Sequence, residues 1–162
     1  MKLLHYSKEP LGALRSVSVE QQEKNERGLF KPLGLWVSVE GEDDWLSWCK
    51  AESFGLERLS YVTEIVLRPT ANILRLHGAA DIDRFHAQYK EEGPHLSWRR
   101  YVSWPRVVRD YDGIIIAPYV WSRRLDGEAG WYYSWDCASG CIWNADAIYA
   151  LASVKNPEPE TV

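Results

Sequence analysis

The sequence predicts an α+β domain with largely antiparallel sheets, and three observations carry that expectation. Short runs rich in β-branched or aromatic residues, such as Leu35–Val39, Tyr61–Leu67 and Ile114–Ala117, are mixed with segments of helical period. The two kinds of segment follow one another without a regular βαβ alternation, which argues against a doubly wound parallel sheet. The chain has 162 residues, 46% of them hydrophobic, enough to bury one core without disulfides or metals.

Along the chain, residues 2–6 form a first short strand, and Pro10 opens a helix that places Leu11, Leu14 and Val17 on one face. Residues 20–31, dominated by Gln, Glu, Lys and Asn, have no period and predict a mobile polar loop. Leu35–Val39 is a strand. Gly41-Glu42-Asp43-Asp44 then supplies a turn and an N-cap for a helix that carries Trp45, Trp48, Cys49 and Glu52. Val62, Thr63, Ile65 and Val66 make a strand of Tyr61–Leu67, ended by Pro69, and Asn72–Leu76 is another.

Ala80–Tyr89 reads as a helix with Ile82, Phe85 and Tyr89 on one side, closed by Gly93-Pro94. Ser103-Trp104-Pro105 caps a short helix over Ser103–Asp110. Asp112-Gly113 turns into Ile114–Ala117, the run expected to be the most buried strand. A polar loop over Ser122–Gly130 leads to Trp131-Tyr132-Tyr133-Ser134-Trp135, and a break at Ser139-Gly140 precedes the strand-like Cys141-Ile142-Trp143. Residues 144–152 are expected to form a final helical turn. A single domain over 1–152 and a disordered Pro- and Glu-rich tail over 153–162 are expected.

The net charge of -4 gives no reason to expect general binding to a phosphate backbone, and the best local patch is Arg99-Arg100 with Arg106 and Arg109, which also reads as a solvated helix face. Three cysteines and no leader pattern predict a reduced, cytoplasmic setting, and no apolar run approaches the ~20 residues that span a bilayer. Cys49, Cys137 and Cys141 with one of His77, His86 or His95 lack the paired spacing of a structural zinc site, so no metal is expected. Ser139 and Cys141 have no neighbouring His and no Gly-x-Ser-x-Gly elbow, which weighs against a hydrolase. The compositional peculiarity is aromatic: nine Trp and nine Tyr against three Phe. Such residues serve ring-stacking sites and interfaces as well as cores.

Leu4-His5-Tyr6-Ser7 at the first strand, Gly34-Leu35-Trp36-Val37-Ser38 at the second, and Trp48-Cys49 in the following helix resemble the ADP-ribosyltransferases of the diphtheria-toxin and poly(ADP-ribose) polymerase type. That family places His-Gly-Ser or His-Gly-Thr, an aromatic strand and a later aromatic in this order. The resemblance implies two packed, mainly antiparallel sheets split by a cleft, with flanking helices and NAD in the cleft. By the same resemblance His5 would bond the nicotinamide ribose, the Tyr6 backbone would hold the carboxamide, and Ser7 would contact either. Ser38, in the second motif, belongs with the cofactor-binding set. Trp36 and Trp48 would sandwich the ring, since an electron-poor pyridinium between electron-rich faces gains about 1–2 kcal/mol per contact.

The chain departs from the family at two points. Tyr6 stands where the family has Gly, and the late strand Ser139–Trp143 lacks the catalytic Glu. The nearest carboxylate is Asp136, so either Asp136 does that electrostatic work or the domain binds without turnover. Lys31 is a candidate point charge for the pyrophosphate. The resemblance implies ADP-ribosyl transfer to a protein or nucleic-acid acceptor, with NAD as substrate, in a toxin, effector or phage protein. The alternatives are a non-catalytic module using the aromatic cleft for a nucleotide or nucleic acid, and an inhibitor that docks its Trp surface onto another protein.

Overall fold

The computed structural model describes residues 1–25, 30–92 and 100–157. Gly93-Pro94, His95, Arg99 and residues 158–162, to which expectations were attached above, lie outside that set. The α+β expectation holds. Its strands are β1 (Leu3–Ser7), β2 (Leu35–Val39), β3 (Tyr61–Leu67), β4 (Ile73–Leu76), β5 (Gly113–Ile116), β6 (Ser139–Ile142), β7 (Ile148–Ala150) and β8 (Val154–Lys155). The helices are α1 (Val19–Glu23), α2 (Trp45–Glu52), α3 (Ala79–Tyr89), α4 (Trp104–Asp110) and α5 (Trp121–Arg124).

Instead of two separate sheets, the described strands join in one curled, mixed sheet of order β4-β5-β6-β2-β1-β3-β7, with β8 also on β3. The β4–β5 pair is parallel and the others are antiparallel. The sheet forks at its middle. The β1–β2 ladder consists of Leu3↔Val39 and Leu4↔Ser38 alone. Beyond it β1 follows β3 as far as Ser7↔Tyr61, while β2 follows β6 back to Leu35↔Ile142. One arm therefore carries His5–Ser7 and the other Leu35–Val37, with the space between them unlaced.

Gly residues make the β2–β6–β5 arm compact. A Cβ on Gly140 would stand 2.5 Å from the Ile114 carbonyl oxygen, so only hydrogen fits where β6 crosses β5. Gly34 enters β2 at φ +155°, and its missing side chain leaves room for Cys141 and Ile142. The predicted break at Ser139-Gly140 is thus the start of β6, and β5 and β6 are both wholly buried.

Two helical expectations are corrected. Residues 10–18 are not helical: the Leu11 amide donates to the Ser153 hydroxyl at 2.9 Å and the Val17 amide to the Trp143 carbonyl at 2.8 Å. Those long-range bonds satisfy the backbone in an irregular path, while Leu11, Leu14 and Val17 still pack on the core. The helix starts instead inside the segment read as a polar loop. Ser18 caps α1 and exchanges bonds with Gln21, the capping box Ser-x-x-Gln. In the Ser122–Gly130 loop, α5 forms over its first residues; Trp131–Ser134 lies in a 3₁₀ turn over Gly130–Ser134.

α2 and α4 begin where expected, at Asp44 and Ser103, and α3 buries Ile82, Phe85 and Tyr89 as its spacing requires. Each such side chain contributes about 1.5–3 kcal/mol by leaving water. After a 3₁₀ turn at Ala145–Ala147 the chain forms β7 where a helical turn was expected, and the first residues of the expected tail are held on the sheet: Val154–Lys155 pairs with β3, and the Ser153 hydroxyl lies 2.6 Å from that of Thr63. Among the described residues no helix is long and apolar enough to cross a membrane.

Candidate functional site

The fork opens into a cleft of about 310 Å³, near the lower end of the usual range for small-molecule sites, about 300–1,000 Å³. Its walls combine His5 and Tyr6 from β1 with Trp36 and Ser38 from β2. Trp45 of α2, Phe54 and Arg58 contribute from the following segment, Lys31 from the approach to β2, Trp135 and Asp136 from the approach to β6, and Ser139 from the start of β6. Of the residues expected at the site, His5, Tyr6, Trp36, Ser38 and Asp136 meet here.

Each is set by its local structure. His5 Nδ1 lies 2.8 Å from the Trp36 carbonyl oxygen, a bond that spans the fork where the ladder has stopped. Because a carbonyl only accepts, Nδ1 carries the hydrogen, and Nε2 of the neutral ring is left as an acceptor. Ser38 is buried, and its Oγ accepts the Trp45 amide at 2.9 Å, pinning the start of α2 to the end of β2. The hydroxyl retains its own proton for a further bond. Trp36 leans on Trp135, with centroids 4.9 Å apart at 60°.

The approach to β2 is held by α1. Gln22 is 2% exposed and clamps the Leu33 backbone from both sides, donating to its carbonyl at 2.7 Å and accepting its amide at 2.9 Å. This fixes the path just after Lys31, whose Nζ stands 5.1 Å over the Trp36 ring and 3.8 Å from Asp136 Oδ2. Arg124 reaches the other oxygen of Asp136 at 3.7 Å. The segment that carries Asp136 is fastened by the Ala138 amide to the Asp43 carbonyl at 2.7 Å and by the Val39 amide to the Ala138 carbonyl at 2.9 Å.

Burial pushes the Asp136 carboxyl above its ordinary value, and Lys31 and Arg124 pull in the opposite direction. The thiols are quenched by burial: Cys49 is pushed up to about 11 and Cys137 to about 12, and Cys141 is raised as well. All three cysteines are free and buried. Among the described residues no group of three or more His, Cys, Asp or Glu is arranged to hold a metal.

Two expected residues are not brought to the cleft wall. The Ser7 hydroxyl donates to the Glu9 carbonyl at 2.7 Å. Trp48 stacks on Trp45 at 5.0 Å and 13°, with Phe54 edge-on to both, so Trp45 and Phe54 form the wall and Trp48 backs it. The helix period put Trp45 and Trp48 on one side of α2, and only the tertiary packing distinguishes them. The described arginines of the candidate basic patch, Arg100, Arg106 and Arg109, make contacts away from the cleft. Arg106 donates to the Gln88 carbonyl at 3.0 Å, Arg109 pairs with Glu23 at 3.1 Å, and Arg100 packs against Gly130.

Chemically, the cleft offers aromatic faces, a histidine whose Nδ1 is tied to the Trp36 carbonyl, Arg58, and one partly buried carboxylate flanked by Lys31 and Arg124. Comparison with protein-family models, curated proteins and solved structures finds no match to this chain.

Proposed function

We propose that the cleft takes the nicotinamide end of NAD and that the chain transfers ADP-ribose from it to a nucleophile on a protein or nucleic acid. The observation that supports this reading most is the convergence of His5, Tyr6, Trp36 and Asp136, from three distant segments, around the unlaced fork between β1 and β2.

In this reading the pyridinium lies against Trp36, with the Trp45 and Phe54 wall beside it. The β1 edge at Tyr6 receives the carboxamide, and His5 Nε2 accepts a ribose hydroxyl. The C1′–N1 bond breaks with its electron pair leaving on nicotinamide, and the ribosyl cation is steadied by the ionised Asp136 carboxylate. The acceptor's lone pair then forms the new bond at C1′, and its proton passes to Asp136 or to water. Trp48 and Ser7 have supporting roles, behind Trp45 and at the Glu9 turn.

One observation favours a second reading, a nucleotide-binding module without turnover: Asp136 is flanked by Lys31 at 3.8 Å and Arg124 at 3.7 Å, as in a structural ion pair. Incubation with NAD, following free nicotinamide, separates the two. The transferase reading expects release by the wild type and its loss in Asp136→Asn; binding without release supports the module; equal release by Asp136→Asn removes Asp136 from the chemistry.

A further inference from the structure

Within the cleft, one contact couples the aromatic wall to the carboxylate. The Lys31 ammonium lies 5.1 Å from the centroid of Trp36, inside the roughly 6 Å range of a cation–π contact, and 3.8 Å from Asp136 Oδ2. It therefore occupies the pocket between a π face and an anion, the two features that would hold a cationic ring. Lys31 is held to this place from behind, because Pro32 is buried and the Leu33 backbone is clamped by Gln22. Its side chain remains 39% exposed, so the ammonium has a path to water along which to withdraw.

We infer that Lys31 is an internal, displaceable cation that fills the ring position of the free protein, so that the cleft admits a positively charged planar group in preference to a neutral one. This deepens the NAD reading and rests on it for the identity of the ring. A cationic ring that enters replaces one charge by another beside Asp136 and keeps the Trp36 contact. A neutral ring of the same shape expels Lys31 and leaves the carboxylate with Arg124 alone. The discrimination resides in the exchange of cations.

This role and a phosphate-binding role for Lys31 differ in sign. If Lys31 held the pyrophosphate, its removal would weaken NAD binding; as a competitor, its removal strengthens it. Lys31→Met keeps the length of the apolar stem and deletes the charge. It is expected to bind NAD about fivefold more tightly, the scale of an exposed cation–π contact.

A direct readout uses the wild-type protein with its lysines reductively methylated with ¹³C, a change that keeps the charge. The Lys31 signal, assigned by its loss in Lys31→Met, is expected to be shifted upfield by the Trp36 ring current and to lose that shift in Trp36→Leu. Saturation with 1-methylnicotinamide, a cationic ring, is expected to return it to the position of solvated lysines, whereas neutral nicotinamide at equal concentration does so far less. A Lys31 signal already at the solvated position, no displacement by 1-methylnicotinamide, or weaker NAD binding by Lys31→Met would each overturn the inference. Displacement by 1-methylnicotinamide with no NAD binding to either protein would uphold it and sink the NAD reading alone.

Discussion

Trp104 and Trp131 meet edge-on at 5.7 Å in the core beneath α3, and both are fully buried. Trp45 and Trp48 stack at 5.0 Å beside the cleft, with Phe54 against them at 48% exposure. Trp135 joins the two regions: it is 1% exposed, touches Trp104 and Trp131 on one side and Trp36 on the other, and forms part of the cleft wall. Centroid separations are comparable in the two pairs, although the core pair meets edge-on and the cleft pair stacks. The surroundings differ as well, aliphatic and aromatic in the core and Lys31, Arg58 and Asp136 at the cleft. Among the described residues the buried indole N–H groups of Trp104, Trp131 and Trp135 meet no hydrogen-bond partner, and their rings contribute chiefly by the large area they bury. The core set is thus expected to carry stability and the cleft set to carry binding.

The largest effect that tests this contrast is on folding. Trp131→Ala empties a fully buried ring position and is expected to cost about 3–5 kcal/mol, read as a lower urea midpoint at unchanged slope. A cost below about 1 kcal/mol would break the comparison from the core side.

Next comes Asp136. Asp136→Asn is expected to lower nicotinamide release by about 10²–10³-fold, the scale of removing one preorganised electrostatic group. It should not lower the melting temperature. The folded carboxyl has its pKa raised chiefly by burial, so the native state holds the proton more tightly than the unfolded chain. That unfavourable contribution is absent below the unfolded value and fully present once the pH exceeds the folded one, and Asn removes it. The same sign fixes the pH profile. Activity that needs the ionised form is expected to fall with decreasing pH at an inflection above the ordinary aspartate value, and a flat acidic limb would contradict it.

Trp36→Leu is expected to weaken NAD binding by about tenfold, from loss of roughly 1–2 kcal/mol of ring contact, while costing less stability than Trp131→Ala. The smallest effect belongs to Phe54→Ala, expected within about 1 kcal/mol in stability and a few-fold in affinity, since the ring is half exposed. A larger stability loss in Phe54→Ala than in Trp131→Ala would invert the account.

Much of this contrast was legible in the sequence where a local rule acts alone. Tyr61–Leu67 reads as a strand by its β-branched residues, α2 starts after Asp44 by its cap, and the Ile82, Phe85 and Tyr89 face follows from helical spacing. Residues 10–18 misled because apolar spacing of three matches both a helix and an irregular segment tied down by remote partners, here Trp143 and Ser153. The Ser18-x-x-Gln21 box was visible but sat among polar residues without a period. His5, Trp36 and Asp136 were identifiable as chemistry-bearing residues. The fork that gathers them was not, because it depends on where the β1–β2 ladder stops, a property of two strands and their other neighbours. Trp45 rather than Trp48 at the wall, and Lys31 over Trp36, depend likewise on packing between distant segments.

The most direct test of the central claim, that the forked cleft is a nicotinamide site and its rings are there for binding, is calorimetric titration of the folded wild type and Trp36→Leu with NAD in parallel. The account predicts saturable, one-to-one binding by the wild type, weakened about tenfold in Trp36→Leu at nearly unchanged melting temperature. Absence of binding by the wild type, or equal affinity in the two proteins, would contradict it.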